Sequence, residues 1–390
     1  MAVNLTNADS VLKSMYLDAV SEQLNYNTNP FLSVIEKTST DVWGKDVKKA
    51  IIKGISKAVC AGDEEGNLPS ADRTQYYQLT STLKNLYGVI EISDKAIRAS
   101  ENNAGAMVNL LNAEMENLIK ASKYQFARML FGDGNGVLAN VLIADDSSVE
   151  VDNPESLSVG MKVDIIDSVG NPILNCDNLE ILNIDEYNFV HLKATESLQN
   201  SGVCNGCKLI IHGAYGKELT GLDAIFNSPI LYGVNRDAEK WFTPYIKEGV
   251  GAIDELDIQT AIDEIERRSG GEVDFIMCSW GVRRALQKAF ATNKTTLQTM
   301  ELAGGYKAIS YNGIPIVVDR FCPKGTMYLL NTKDFALHQL CDWQWLSDDD
   351  GRVLKQIPGK PVYTATLVKY AELMCSRPNG QGMLSGIVEA

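Results

Sequence analysis

One amphipathic stretch, between Gly105 and Phe131, constrains the fold of this 390-residue chain more than any other. A series of mostly apolar positions recurs at steps of three and four residues, the period of one face of an α-helix. These positions are Met107, Leu111, Met115, Leu118, Ser122, Phe126 and Met129. At 1.5 Å per residue the helix would be roughly 40 Å long, so it predicts a strut against which a sheet packs. Gly132 stands where a left-handed residue would end such a helix.

The composition is that of an ordinary soluble chain with room for two or three domains. Apolar residues make up 45% of the chain and charged residues 22%. No apolar run approaches the ~20 residues that a membrane span needs. The N-terminus lacks the basic start and apolar core of a signal peptide, which predicts a cytosolic chain. Eight scattered cysteines are typical of reduced thiols.

The net charge of −14 opposes tight, sequence-independent binding of nucleic acid, because that binding requires many Lys and Arg. One short stretch is basic and is opposed only by Asp46. Its lysines are Lys45, Lys48, Lys49, Lys53 and Lys57. A solvated strand face explains them better than a phosphate site does.

The first third of the chain predicts extended elements around the long helix. Residues 1–40 hold a predicted helix from Asp9 to about Asn25 and are typical of an arm. Residues 41–92 predict two long strands around an acidic, turn-rich tip. Because a two-stranded ribbon is marginal alone, we expect it to lie against another surface, such as a second subunit.

The rest of the chain changes character twice. Residues 137–220 contain short strands and turns, which predict a small all-β unit of about 75 residues, the size of a compact barrel. Residues 221–345 alternate helices and strands, which is typical of an α+β domain. Residues 346–390 supply a strand long enough to return to the first sheet, followed by a Gly-rich end.

Motifs for catalysis or cofactor binding are weak. Gly132–Gly136 (GDGNG) has the wrong spacing for a dinucleotide loop and follows a helix, so it predicts a helix stop and a turn. Ser347–Gly351 (SDDDG) lacks the ligand spacing of an EF-hand and predicts a turn. The chain has no P-loop, HExxH or GxSxG pattern. Nothing joins the three histidines, His191, His212 and His338, to a catalytic triad.

A CxxC motif at Cys204 and Cys207 has His191, His212 and Cys176 near it in sequence. Tetrahedral zinc takes four such ligands. However, there is no second CxxC, and the Asn-Gly between the cysteines favours a hairpin turn. A hairpin with two free thiols is therefore favoured over zinc and over a reversible disulfide. No catalytic, cofactor-binding or metal-binding residue is predicted.

Three segments, taken in order, resemble the major capsid protein of tailed bacteriophages with the HK-97-like fold. LKNLYGVIEISDKAIRAS resembles that family's passage from its extended loop into its first domain. MENLIKASKYQFARMLFGDGNG resembles the end of its spine helix, and GIPIVVDRFCPKGTMYLLNTKDFAL a strand-turn-strand of its axial domain. The order and spacing of these segments are more specific than any one of them, and the resemblance covers nearly the whole chain outside the β-rich segment.

The resemblance implies an α+β, HK-97-like fold with an extended-loop hairpin, a long spine helix, an axial α+β domain and an inserted small all-β domain. The implied parts are an N-terminal arm (1–40), an extended loop or E-loop (41–92), a peripheral domain with the spine helix (93–136), a β-rich insertion (137–220), an axial domain (221–345), and a return strand with the C-terminal tail (346–390).

The function implied is structural and not enzymatic. Hexamers and pentamers would self-assemble in the bacterial cytoplasm into the icosahedral head of a virion, around packaged double-stranded DNA, without a membrane. About 40 residues precede the loop, too few for the family's scaffolding segment. Either a separate scaffolding protein is expected, with a portal, or the chain begins after that segment has been cut off; Met1 favours the first. Some members join a loop Lys to a neighbour's Asn under a buried Glu; no acceptor or Glu can be matched here, so no cross-link is predicted.

Three other functions stay open. An encapsulin-type bacterial compartment shares the fold, although an inserted β domain is atypical of one. An enzyme with a β-domain lid would need polar residues converging in a pocket. A β-rich adhesin or tail component is opposed by the long helix and the α+β segment.

Overall fold

This computed structural model contains two large sheets, a small hairpin sheet, a two-stranded ribbon and a closed barrel. It describes residues 29–54, 58–59, 61, 73–95, 104–292, 298–301, 307–347, 351 and 353–390. The helix expected from Asp9 to Asn25 lies outside these residues, as do Lys57 and residues 348–350 of the SDDDG turn.

The elements are numbered in chain order within the described residues. The helices are α1 (Pro30–Val34), α2 (Ala104–Met129), α3 (Leu222–Asn227), α4 (Glu255–Ser269) and α5 (Trp280–Thr292). The strands up to the long helix are β1 (Glu36–Thr38), β2 (Val42–Trp43), β3 (Asp46–Lys53), β4 (Gln75–Thr82) and β5 (Lys84–Ser93). The barrel strands are β6 (Val137–Ala144), β7 (Ser148–Val151), β8 (Lys162–Ile166), β9 (Leu179–Ile184), β10 (Phe189–Leu192) and β11 (Lys208–Ile211). The remaining strands are β12 (Ile230–Leu231), β13 (Val234–Asn235), β14 (Tyr245–Lys247), β15 (Phe275–Cys278), β16 (Gln298–Glu301), β17 (Lys307–Tyr311), β18 (Ile314–Val318), β19 (Met327–Leu330), β20 (Phe335–Trp345), β21 (Lys355–Gln356), β22 (Val362–Cys375) and β23 (Gly382–Leu384).

The first large sheet is built around β22, the long strand expected near the C-terminus. It pairs with β20 on one side and with β5 on the other, and both pairings are antiparallel. The β5 pairing runs from Lys84 opposite Ala371 to Ser93 opposite Val362. Strand β1 adds to β20 in parallel at the edge. The return strand expected from the sequence is confirmed.

The hairpin sheet is shorter than the sequence suggested. Strands β3 and β4 pair antiparallel over their whole length, with β2 beside β3. The returning strand breaks at Leu83, and β5 then leaves the hairpin for the large sheet. Buried positions are odd-numbered up to Leu83 but even-numbered from Leu86 onward. Because side chains of a strand alternate between faces, this change of parity forces the chain to turn, and the hairpin ends at Thr82 instead of residue 92.

Helix α2 is the long strut expected from the sequence, and its C-terminus differs in detail. It ends at Met129, where Phe131 N–H donates to Arg128 O (3.0 Å) and Gly132 N–H donates to Met129 O (3.2 Å). These tighter, three-residue bonds satisfy the last carbonyls, so no left-handed cap is needed. The left-handed residues are the following Gly134 and Gly136, and the prediction for Gly132 was wrong.

Strands β6 to β11 close into a six-stranded barrel in the order β10-β7-β6-β11-β8-β9. Apolar side chains from all six strands fill it and form a core cluster of their own. The all-β unit expected from the sequence is therefore present. Its two connections to the rest of the chain run side by side: Gly216 N–H donates to Asn135 O (3.0 Å), and Leu222 N–H donates to Leu130 O (2.7 Å).

The second large sheet has seven strands in the order β14-β23-β19-β15-β18-β17-β16. Helix α4 begins with a capping box between Asp254 and Asp257 and ends at left-handed Gly270, which fixes its length. Its buried face, Ile258, Ala261, Ile262 and Ile265, is the one expected, and with α5 it forms a core over one face of this sheet.

The other face of the seven-stranded sheet faces the core that it shares with α2 and the first sheet. Phe275 and Met277 of β15 belong to that shared core, whereas Ile276 and Cys278 face α4 and α5. Strand β23 was not expected from the Gly-rich tail. It inserts between β14 and β19, so the tail completes this sheet.

Candidate functional site

Among the described residues, the hairpin sheet has one face packed against the rest of the molecule and one face exposed to solvent. Burial alternates along β3 and β4, with Val47 and Leu79 fully buried. On the opposite face, Ile52 and Tyr76 are directly paired across the two strands. They are 60% and 69% exposed, which is unusual for large apolar side chains that lie side by side. This pair, which we call the hairpin patch, is a candidate docking surface.

The inner face of the hairpin is anchored on residues 231–242 of the same chain. Thr80 N–H donates to Tyr232 O (3.1 Å). Tyr77 packs edge-on against Trp241, with ring centroids 6.2 Å apart. Lys53 Nζ lies 2.6 Å from Glu239 Oε2. The hairpin therefore packs against another segment of its own chain, and its outer face is exposed to solvent in the described part of the chain.

The basic stretch is divided between these two faces. Lys48 is exposed on the outer face, whereas Lys49 and Lys53 share the half-buried inner face with Ile51. Because neighbouring residues of a strand point to opposite sides, these lysines do not converge on one phosphate. The expectation of a solvated strand face holds for Lys48, which is exposed, but not for Lys53, which pairs with Glu239.

Helix α2 packs on the inner face of β5. Leu118 lies over Gly88, where a Cβ would come within 2.9 Å of Leu118 Cδ1. Met115 and Phe126, two positions of the predicted stripe, are buried, as is Ile119 between them. The side chains of residues 104–113 are not described. The absence of a side chain at Gly88 thus sets the close approach of helix and sheet.

A cleft of about 630 Å³ opens beside this contact, between α2, β5 and the chain leaving the barrel. Leu118, Phe126 and Ile211 give it apolar walls, and Lys84 and Lys217 add cations at its polar side. Next to it, buried Arg128 pairs with buried Glu218, which ties the end of α2 to that same segment. Arg128 and Glu218 therefore neutralise each other beside the cleft.

A second buried charge lies under the helix. Lys369 Nζ contacts Asp342 Oδ1 at 2.5 Å and Gln339 Oε1 at 2.9 Å. It also lies 5.3 Å from the ring centroid of Phe126. Burial lowers the pKa of Lys369, against the attraction of Asp342, whose own pKa stays below its usual value because of that ammonium. These contacts fix the sheet under α2.

Glu372 and His338 are directly opposite each other on β22 and β20, and both are fully buried. Thr220 N–H donates to Glu372 Oε1 at 2.9 Å. Burial raises the pKa of Glu372 to about 7 and lowers that of His338. Within the described residues, the second Glu372 oxygen and both His338 ring nitrogens have no hydrogen-bond partner. Sequence reasoning missed this pair because both residues lie in strands whose burial on both faces depends on distant segments.

The CxxC residues lie together, but the histidines near them in sequence do not join them. Cys204 Sγ and Cys207 Sγ are 3.8 Å apart. His212 instead contacts Asp164 (2.7 Å), and His191 lies 3.8 Å from Asp185. No group of three or more His, Cys, Asp or Glu in the described part of the chain could hold a metal ion.

The Asn-Gly turn between these cysteines also differs from the expectation. Of its two central residues only Gly206 has a positive φ, +88°, which fits a type II turn and not the type I′ turn of a hairpin. The preceding strand, β10, ends at Leu192, so the turn leads into β11 without joining two strands as a hairpin.

Gly132–Gly136 forms the expected turn after the helix. A Cβ on Gly136 would lie 3.1 Å from Ala214 O, and one on Gly134 would lie 3.4 Å from Leu219 O. The glycines therefore serve close packing of the chain segments around the barrel. Among the described residues, no helix has the length and apolarity to cross a membrane.

Comparison with known proteins gives a fold. The sequence matches no family model, and no curated protein resembles it significantly. The structure is similar to a chain of the cyanophage A-1(L) capsid asymmetric unit, with a TM-score of 0.58 at 10% identity, over 93% of this chain and 94% of that one.

Two further similar structures have lower scores. One is the holo-SrpI encapsulin complex from Synechococcus elongatus PCC 7942, with a TM-score of 0.44 at 11% identity over 93% of this chain and 89% of that chain. The other is Mycobacterium phage Bobi, with a TM-score of 0.45 at 10% identity over 94% and 92%. Of the three, only the cyanophage chain exceeds a TM-score of 0.5, and it confirms the α+β, HK-97-like capsid fold expected from the sequence.

Proposed function

We propose that this chain is a structural shell protein, the major capsid protein of a bacteriophage that packages double-stranded DNA. The observation that carries the proposal is the match in fold over more than nine-tenths of both chains to a cyanophage capsid subunit. An exposed apolar patch on the outer face of the hairpin supports it, because such a surface is suited to a second copy in a symmetric assembly. The net charge of −14 also suits a shell that does not bind its packaged DNA tightly.

In this proposal each segment has a part in a hexamer or pentamer. Residues 1–40 act as the arm, the hairpin within 41–92 as the extended loop laid over a neighbour, and 93–136 with β22 as the peripheral domain. Residues 221–345, with β23, act as the axial domain at the centre of each ring. The barrel within 137–220 decorates the surface or contacts the next ring.

The partners proposed are further copies of this chain, a separate scaffolding protein, a portal, and DNA held without sequence recognition. The shell assembles in the host cytoplasm and ends in the virion. The role is not enzymatic, in accord with the internal pairing of the buried charges next to the cleft.

The test is assembly of the full chain, alone and with candidate scaffold, followed by light scattering and negative-stain imaging. Tyr76→Glu should abolish closed shells and rings while leaving the subunit folded, since it places a charge on the hairpin patch. Gln78→Glu is the matched control, because Gln78 is exposed on the same face of β4 and gains the same charge. Shells from both variants would refute the role of the hairpin, and a wild-type chain that stays monomeric at micromolar concentration would refute the shell itself. DNA inside particles from infected cells would separate a genome container from a protein-filled compartment.

A further inference from the structure

Two thiols of the barrel lie close enough to react with each other. Cys204 and Cys207 are the ends of a β-turn that Cys207 N–H closes by donating to Cys204 O at 3.1 Å. Cys204 N–H also donates to Cys207 Sγ at 3.4 Å, which holds that sulfur over the turn. The sulfurs are 3.8 Å apart, so a bond of about 2.05 Å needs an approach of about 1.8 Å.

The turn geometry allows this approach without moving the barrel. The first and fourth Cα atoms of a β-turn lie within about 7 Å, which overlaps the range of disulfides. Cys204 is exposed, so its side chain can rotate toward Cys207. Gly206 N–H donates to Val141 O, and Val141 N–H donates to Cys207 O, so the buried end of the turn is fixed on β6.

The two thiols differ in access. Cys204 meets solvent, whereas Cys207 is 2% exposed. Burial also raises the pKa of the Cys207 thiol, which makes it the poorer first nucleophile. This asymmetry makes Cys204 the attacking thiol and Cys207 the resolving thiol, as in other dithiols that exchange with small disulfides.

We propose that Cys204 and Cys207 form a redox-active dithiol, which a low-molecular-weight disulfide oxidises to an intramolecular Cys204–Cys207 disulfide. The Cys204 thiolate attacks one sulfur of the reagent, whose S–S bond breaks to release one thiolate that takes up a proton. The Cys207 thiolate then attacks Cys204 Sγ and releases the second reagent thiol. The protein loses two electrons and two protons, and the reagent gains both.

The oxidised pair links the two ends of the turn at the start of β11 covalently. Because the turn is already bonded to β6, oxidation would restrain that corner of the barrel. The step depends on the barrel alone, and it does not rest on shell formation.

The test uses the full chain in defined ratios of reduced and oxidised glutathione, with acid quenching, alkylation and mass spectrometry of the peptides. The wild type should lose two hydrogen masses on the peptide that carries both cysteines. Cys207→Ser should accumulate glutathione on Cys204. In Cys204→Ser, the oxidation of Cys207 should be slower than in the wild type by about tenfold or more, because that thiol is buried.

Cys341→Ser is the matched control, since Cys341 is a partly exposed thiol in the first sheet and its loss should leave the reaction unchanged. Circular dichroism checks that each variant is folded, and the exposed position of Cys204 makes its serine variant tolerable. Full alkylation of both thiols at every glutathione ratio would overturn the proposal. A disulfide between Cys207 and the neighbouring buried Cys176, or equal oxidation rates in Cys204→Ser and wild type, would overturn the roles assigned.

Discussion

Replacing Gly221 by alanine would place a methyl group where the end of the long helix meets the chain leaving the barrel. A Cβ there would lie 2.5 Å from Met129 O, 2.6 Å from Gly132 O and 2.7 Å from Leu130 O. All three atoms belong to the backbone, so no side-chain rotation relieves the contacts. The φ of Gly221 is −84°, which any residue adopts, and the effect is therefore steric.

The expected cost follows from these contacts. Overpacking a core where side chains can shift costs about 1–3 kcal/mol, and contacts with backbone lie at the upper end of that range. The 2.7 Å hydrogen bond from Leu222 N–H to Leu130 O must also lengthen. Weakening this bond adds up to about 1 kcal/mol, so we expect Gly221→Ala to lower the free energy of unfolding by about 3–4 kcal/mol.

The assay is urea unfolding of the unassembled full chain, followed by tryptophan fluorescence, which buried Trp343 and Trp345 should report. Gly132→Ala is the control from the same junction. Its Cβ would have ordinary contact with Met129 O at 3.5 Å, and the variant should stay within about 1 kcal/mol of wild type. Equal midpoints for the two variants would refute the steric account of Gly221.

Three further outcomes follow from buried groups and from the barrel. Glu372, with a folded pKa of about 7 against an ordinary 4.5, binds a proton that the unfolded chain has lost, so stability falls as pH rises from about 4.5 to 7. Glu372→Gln should remove that slope in urea titrations, gaining up to about 3 kcal/mol at pH 8 and nothing at pH 4; parallel profiles would contradict this. Asp342→Asn should cost about 3 kcal/mol by leaving the Lys369 ammonium without a counter-charge, whereas the double variant Asp342→Leu, Lys369→Met should lose less in the same assay. Residues 136–217 expressed alone should fold as a barrel with a cooperative thermal transition by circular dichroism, because their core is separate; a sloping melt without a transition would contradict that.

The sequence predicted the elements that carry long periodic signals. The stripe of α2 and the apolar face of α4 are each properties of one continuous segment. The helix α2 and the face of α4 are confirmed, and of the α2 stripe Met115 and Phe126 are buried. Short strands such as β14 and β23 are too brief to show a period, and their pairing depends on each other across more than a hundred residues. The break at Leu83 required knowing which faces of β4 and β5 become covered.

The candidate surfaces were less predictable than the fold. The hairpin could be expected, but which face stays free is decided by Trp241 and Glu239, which lie far away in sequence. The burial of Lys369 and Glu372 was unpredictable for the same reason. A polar residue in a strand is expected to be exposed, and here the neighbouring strands and a helix from distant parts of the sequence bury it. The Asn-Gly of the CxxC motif correctly predicted a turn, but the turn fits type II and not the hairpin type that was expected.

The position of the last strands also sets the order of events during synthesis. Strand β5 can pair with β22 only after about 270 further residues have been synthesised. Strand β14 likewise needs β23, which ends at Leu384. Neither large sheet can close on the ribosome until almost all of these residues have been translated. The barrel, whose strands all lie within residues 137–211, can fold earlier. A prematurely terminated product would therefore carry a folded barrel but no completed sheet, and in the proposed shell it could not take the place of a subunit.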